Sequence, residues 1–263
     1  MGTTGIPGTF HTVITCLSVW EFTGIVNQRP GIDVNRFITT VAGGCLFVGF
    51  FGYAVGVAGA GVLFVPWLLS MIYMLVAELY LQRESPLNNW AYAMMSQIYV
   101  ALPFSLLCLF EFSGNGTLPT ASGSGFATAS PLLVLAIYVC LWLNDTGAYC
   151  VGSFIGRHKL FPRISPGKSW EGSIGGAVVC LIASQVTAHY LPVLTPLEWA
   201  GFALVVVVFG TWGDLIESLL KRQMGIKDSG KILPGHGGML DRFDSSLLAI
   251  PAAVIYLYTL ATF

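Results

Sequence analysis

Between the few charged residues of this chain lie apolar runs of about 20 residues, the length a helix needs, at 1.5 Å per residue, to cross a hydrocarbon layer about 30 Å thick. A soluble fold confines its apolar residues to one stripe of each helix, because the opposite face must meet water. These runs are apolar all round. Of the 263 residues, 55% are hydrophobic and 10% charged, whereas a soluble domain carries about 25% charged residues. A water-facing surface cannot be built from so few charges, so the bilayer is the main solvent.

Stretches bounded by charge or turn clusters fall at residues 9–26, 37–53, 57–81, 89–112, 126–149, 172–194, 199–220 and 245–263. The expected fold is all-α, a polytopic transmembrane helical bundle of about eight spans with a polar cytoplasmic active-site face, and a single integral membrane domain over 1–263. The first stretch is short and interrupted by Glu21, so a tilted or interfacial helix is expected there. Residues 1–11 contain no Lys or Arg, which argues against a cleavable signal peptide and for a first helix that is retained.

All 12 basic residues fall between spans one and two (Arg29, Arg36), three and four (Arg83), five and six (Arg157, Lys159, Arg163, Lys168), or seven and eight (Lys221, Arg222, Lys227, Lys231, Arg242). With eight spans these loops share one face, which the positive-inside rule makes cytoplasmic. Loop 113–125, rich in Gly, Ser and Thr, reads as a flexible connection on the other side and carries no chemistry. The six cysteines lack metal-ligand spacing and are expected to pack as small apolar residues. Gly52/Gly56, Gly152/Gly156 and Gly172/Gly176 have the GxxxG spacing that brings helices close in lipid, and the run 56–61 is likewise assigned to helix packing. His11, His158 and His189 have no ligand-type companions nearby and are expected to be structural.

Polar chemistry concentrates after residue 131. Asp214, Glu217, Ser218 and Lys221 are spaced to share one helical face near the end of span seven. An acid near the centre of a bilayer costs about 2.5–3.5 kcal/mol on insertion scales, so it normally faces a cavity, a partner or an ion. The segment 227–244 is too polar to span and too rich in Gly and Pro for a long helix. Its glycines admit close approach of a phosphate, Lys227, Lys231 and Arg242 add positive charge, and Asp228, Asp241 and Asp244 offer the hard oxygens magnesium prefers. An ordinary basic juxtamembrane loop would need neither these acids nor the run Gly235-His236-Gly237-Gly238. A second cluster, residues 165–172, places Ser165 and Lys168 at an expected helix start, where backbone donors favour anions, with Glu171 as an alternative helix cap. Asp145, in Asn144-Asp145-Thr146-Gly147-Ala148-Tyr149, is expected at the inner end of span five.

The run Ser-Leu-Leu-Lys-Arg at 218–222, then Lys-Asp at 227–228, Pro-Gly-His-Gly-Gly at 234–238 and Asp-Arg-Phe-Asp at 241–244 resembles the signature of the phosphatidate cytidylyltransferases (CDP-diacylglycerol synthases). The segments 165–172 and 144–149 resemble further elements of that family, in its order, and the resemblance covers 131–263 well. It implies transfer of the cytidylyl group of CTP to phosphatidate, giving CDP-diacylglycerol and pyrophosphate in phospholipid biosynthesis. Magnesium would be required, and a second cation in the site is compatible with the acids present. Carried onto this chain, the resemblance makes Asp214 and Asp241 metal ligands, with Asp228 a weaker candidate. Lys221, Arg222, Lys227, Lys231 and Arg242 would neutralise phosphates, while Ser218 and His236 hydrogen-bond phosphate oxygens. His236 as a general acid is the alternative, and Asp145, Ser165 and Lys168 are placed in the site wall. Family members tend to be dimers, so a homodimer is compatible with the resemblance; the expected partners are CTP, phosphatidic acid and the bilayer, with no nucleic acid. Two other readings are an ion-coupled transporter, with Asp214 and Asp145 as coupling acids, and another membrane lipid nucleotidyltransferase or kinase.

Overall fold

A computed structural model describes residues 5–111, 118–119, 126–127, 131–230 and 237–262. In chain order the elements are α1 (Gly5–Val26), α2 (Arg36–Val55), a 3₁₀ turn (Ala60–Phe64), α3 (Val65–Leu81), α4 (Pro86–Met95), a π-helical segment (Ser96–Ala101) and α5 (Leu102–Glu111). Then come β1 (Leu118–Pro119), β2 (Phe126–Ala127), α6 (Pro131–Ile155), β3 (Lys159–Phe161), β4 (Ser165–Ser169), α7 (Trp170–Tyr190), α8 (Pro196–Gln223), α9 (Leu240–Phe243) and α10 (Ser246–Thr262). Among the described residues eight helical stretches are long and apolar enough to cross a membrane: Gly8–Val26, Arg36–Val55, Ala60–Leu81, Pro86–Glu111, Pro131–Ile155, Trp170–Tyr190, Pro196–Gln223 and Leu240–Leu260. The chain is an all-α, multi-pass membrane protein.

The chain divides into two compact units. One joins Met1–Asn115 to Gln223–Phe243; the other joins Gly116–Arg222 to Asp244–Phe263.

In the first unit α1 is a full helix despite Glu21, and it buries Val19, Phe22, Ile25 and Val26 together with Thr15, Ser18, Thr23 and Glu21 itself. Its connection to α2 is clipped twice. The Asn27 side chain donates to the Val34 carbonyl and accepts from the Val34 N–H, both at 2.8 Å. The Arg36 guanidinium lies 4.1 Å from the centre of the Trp20 ring and donates to the Trp20 carbonyl at 3.0 Å. Asn35 caps α2 by accepting from the Ile38 N–H, and Gly56 ends it in the left-handed conformation at φ 79°. Gly56 and Gly59 (φ 73°) therefore form a turn, not the helix-packing surface expected of 56–61. Span four is continuous from Pro86 to Glu111. Pro103 lacks the N–H that would continue α-type pairing, and the turns before it adopt π geometry.

In the second unit α6 and α7 approach at glycines. A Cβ on Gly147 would lie 3.0 Å from the Gly176 Cα, one on Gly172 2.7 Å from the Ala148 carbonyl oxygen, and one on Gly176 would meet Asn144. Gly172/Gly176 is thus a packing pair, as its spacing predicts. Helix α8 begins earlier than expected because Thr195 and Glu198 form a reciprocal capping box around Pro196: the Thr195 N–H donates to the Glu198 carboxylate at 2.7 Å, and the Glu198 N–H to the Thr195 hydroxyl at 3.4 Å. The Tyr256 hydroxyl donates to the Glu198 carbonyl at 2.9 Å and ties α10 to that corner.

Span five corrects the sequence reading. The helix starts at Pro131 and runs to Ile155, so Asp145 lies ten residues inside its end, not at it. At 1.5 Å per residue that is about 15 Å of helix beyond the carboxylate.

Candidate active site

The polar segment before α7 is a hairpin. Strands β3 and β4 pair antiparallel, Lys159 opposite Ser169 and Phe161 opposite Ser165. Ser165 and Lys168 therefore sit in a strand, and the helix start expected there lies at Trp170. Ser169 is its cap, the hydroxyl accepting from the Gly172 N–H at 3.2 Å. Glu171 does not cap the helix. Its carboxylate accepts from the backbone N–H groups of Arg157 and His158 at 3.2 Å and pairs with the His158 ring, which pins the hairpin to the helix.

Hairpin, α6 and α7 enclose a cavity of about 470 Å³, lined by polar side chains that include Asn144, Asp145, Lys159, Lys168, Ser173 and Thr211. Glycines at 152, 167 and 172 open its wall, and the N-terminus of α7 belongs to it. Backbone donors, a helix dipole and two lysines around one hollow make a setting for phosphate. Lys159, which the sequence reading put with Arg157 and Arg163 in the basic run leading into 165–172 without giving it a role of its own, lines the cavity. Its distance along the chain from Lys168 hides that a hairpin sets the two side by side.

Helix α8 brings the expected acid to this pocket. The Asp214 carboxylate forms an ion pair with Lys168, each side chain one-quarter exposed, and accepts from the Ser218 hydroxyl at 3.2 Å. One turn on, Lys221 lies 3.4 Å from Glu217, whose carboxylate is fully buried. Gly213 lets α8 press against the start of α10: a Cβ there would fall 2.7 Å from the Asp244 carbonyl oxygen. Asp145, Asp214 and Asp244 consequently lie close enough to act on one another electrostatically, with Lys168 acting on Asp145 and Lys221 on Asp244. The carboxylates of Asp145, Asp214, Asp244 and Glu217 against the ammonium groups of Lys159, Lys168 and Lys221 leave one negative charge in excess in a half-buried place, which favours a cation. Arg222 reaches the hairpin turn, donating from Nε to the Ile164 carbonyl at 3.4 Å.

Among the described residues no three His, Cys, Asp or Glu side chains are arranged to hold a metal ion. Magnesium does not need such a cage, since it commonly takes one or two carboxylates and completes its shell with substrate phosphates and water. The hard oxygens of Asp145, Asp214 and Asp244 fit that chemistry.

The rest of the signature lies in the first unit. Lys227 and Asp228 are exposed, and Lys231 and His236 fall outside the described residues. Asp241 opens α9 with one carboxylate oxygen accepting from two backbone donors, Ser229 N–H and Gly238 N–H, both at 2.8 Å. Arg242 follows it, exposed. Glu21, which interrupts the first apolar stretch and lies in the run Trp20-Glu21-Phe22 that resembles a segment of the family, is buried at 6% exposure against the same backbone and accepts from the Leu240 N–H at 2.9 Å.

The sequence profile of the cytidylyltransferase family matches residues 6–260. The chain belongs to that family. It is 36% identical over 193 residues to proteins named phosphatidate cytidylyltransferase from Staphylococcus saprophyticus and Staphylococcus aureus, covering 72% of this chain and 68% of each relative. A protein of the same name from Staphylococcus haemolyticus is 36% identical over 195 residues, with the same coverage. The family match reaches back through α1, well before residue 131 from which the resemblance reads well in the sequence, so Glu21 and its helix lie within the family's own extent.

Proposed function

We propose that this chain transfers the cytidylyl group of CTP to phosphatidate, yielding CDP-diacylglycerol and pyrophosphate. The observation that carries the reading is the lysine-lined cavity between α6, α7 and the β3–β4 hairpin, with Asp214 of α8 paired to its Lys168. A cavity with that charge pattern, cut into apolar helices, suits a polyphosphate on one side and a lipid arriving through the bilayer on the other.

In the reaction a phosphate oxygen of phosphatidate attacks the α-phosphorus of CTP. The new P–O bond forms in line with the one that breaks, and pyrophosphate leaves with that bond's electron pair. Both reactants are anions, so catalysis rests on positioning and charge neutralisation rather than on proton transfer. Lys159 and Lys168 hold phosphate oxygens at the α7 N-terminus. Ser218, on the same face of α8 as Asp214, donates a hydrogen bond there, and Lys221 adds charge. Binding of the nucleotide gives Lys168 a phosphate partner and releases the Asp214 carboxylate for a cation. Magnesium would be held by Asp214 with Asp145 or Asp244, and when bound it withdraws charge from the phosphate oxygens. On the strength of the signature, Lys227, Lys231, Arg242 and His236 also serve the triphosphate, and Asp228 and Asp241 stand as further cation ligands. The basic loops, and with them the chemistry, face the cytoplasm.

The test is direct. Purified protein in micelles containing phosphatidic acid, given labelled CTP and magnesium, should form a liponucleotide and release pyrophosphate in equal amounts. Folded protein that yields no magnesium-dependent product would overturn the proposal.

A further inference from the structure

We infer that Glu21 is a positioning residue: its carboxylate shapes the backbone on both sides of the signature loop, at Ser229–Gly230 and at Gly238–Leu240, and nucleotide binding depends on that shape. This rests on the reading of the chain as a CTP-dependent cytidylyltransferase.

The carboxylate is buried in α1, more than 200 residues from the backbone it serves. One oxygen, Oε2, accepts from the Leu240 N–H at 2.9 Å and from the Ser229 hydroxyl at 3.3 Å. That hydroxyl in turn accepts from the Asp241 N–H at 3.3 Å, so a chain of donors runs from α9 through Ser229 to Glu21. The second oxygen, Oε1, is buried and has no hydrogen-bond partner among the described residues. It lies against Gly230 and Gly238, where an added Cβ on either would run into the carboxylate.

This gives the glycines a second reason to be glycines. Sequence reasoning assigned them to close approach of a phosphate, whereas Gly230 and Gly238 are closed to side chains by the protein's own acid. Gly237, at φ 82°, would likewise collide with the Asp241 carboxylate. Two carboxylates therefore hold the two ends of the loop, at residues 229–230 and 237–240, Glu21 from α1 and Asp241 from α9. The support is firm, because Asn27 and Arg36 fix the end of α1 to α2. An acid in an apolar span is costly and is kept where it meets a specific need. Here it meets the Leu240 N–H and the Ser229 hydroxyl, at the two ends of the loop that Lys227 and Arg242 flank.

The experiment compares E21A and E21Q with the parent protein in phosphatidate micelles, measuring kcat and both KM values. In E21A the KM for CTP should rise by about 10-fold or more, as when an outer support of a charged site is lost, while the KM for phosphatidate stays within about twofold. Glutamine keeps an acceptor oxygen for Leu240 and Ser229, so E21Q should return the KM for CTP to within about threefold of the parent. A mere loss of folded protein would lower kcat and leave KM untouched. E21A with the parent's KM for CTP, or E21Q as impaired as E21A, overturns the inference. Should E21A not fold, G238A decides, since it keeps the acid and displaces it: a raised KM for CTP supports the inference and an unchanged one refutes it. If the parent protein makes no product, the functional reading fails instead; amide hydrogen exchange at Gly238 and Leu240, faster in E21A and restored in E21Q, then judges the positioning role alone, and unchanged exchange refutes it.

Discussion

Two groups of acids divide the polar work of this chain, and they are solvated differently. In the second unit Asp145, Asp214 and Asp244 face one another and the ammonium groups of Lys168 and Lys221. In the first, Glu21 and Asp241 face backbone N–H groups at 2.8–2.9 Å. A carboxylate bound to backbone amides is committed, because the donors cannot leave without unwinding the chain. A carboxylate bound to a lysine side chain is exchangeable, since the ammonium can turn to a phosphate and leave its oxygens to a cation. The same functional group serves shape in one unit and charge in the other.

The largest effect expected from breaking this contrast is at Asp214. Asp214→Asn should reduce liponucleotide formation by about 10²–10³-fold, the scale of losing one electrostatic contact to a transition state, with the unfolding midpoint in detergent unchanged. Asp241→Asn separates shape from charge within one residue. The amide oxygen can still accept both backbone donors, so the fold should persist while turnover falls by a similar factor of about 10² or more; full activity would remove Asp241 from the cation and leave it a purely structural clasp. Lys168→Met should lower kcat/KM for CTP by about 10–100-fold, the worth of a charge-assisted hydrogen bond of about 1.5–3 kcal/mol, and steady-state kinetics over a CTP series would show it. Gly176→Val tests the frame that holds the pocket. Its Cβ would meet Asn144, and overpacking of this kind costs about 1–3 kcal/mol, readable as a lower unfolding midpoint. The smallest effect is at Ser169→Ala, where loss of the α7 cap should cost about 1 kcal/mol of stability and weaken CTP binding by less than Lys168→Met does.

The eight spans were legible because hydrocarbon imposes its requirement locally: each helix must satisfy its own backbone and be apolar along its length, and both properties are written in consecutive residues. That α7 packs closely on a neighbour was legible for the same reason, since Gly172 and Gly176 recur at helical spacing on one face; that the neighbour is α6 was decided by the tertiary structure. Asp214, Ser218 and Lys221 could be placed together from spacing alone. Lys159 could not, because its proximity to Lys168 depends on a reversal of the chain at Pro162 and Arg163. Glu21 carried a signal that was read too weakly. An acid in an apolar run was taken as a flaw in the helix, although the cost of placing it there already implied a specific partner.

By itself the sequence determined the solvent, the helices and the kind of chemistry, because hydropathy and charge act over neighbouring residues. Only the tertiary structure decided which acids meet lysines and which meet backbone, since that choice depends on groups far apart in the chain being brought within 3 Å or so of one another, the range of a hydrogen bond. Glu21 and Leu240, at 2.9 Å, are the measure of that distance.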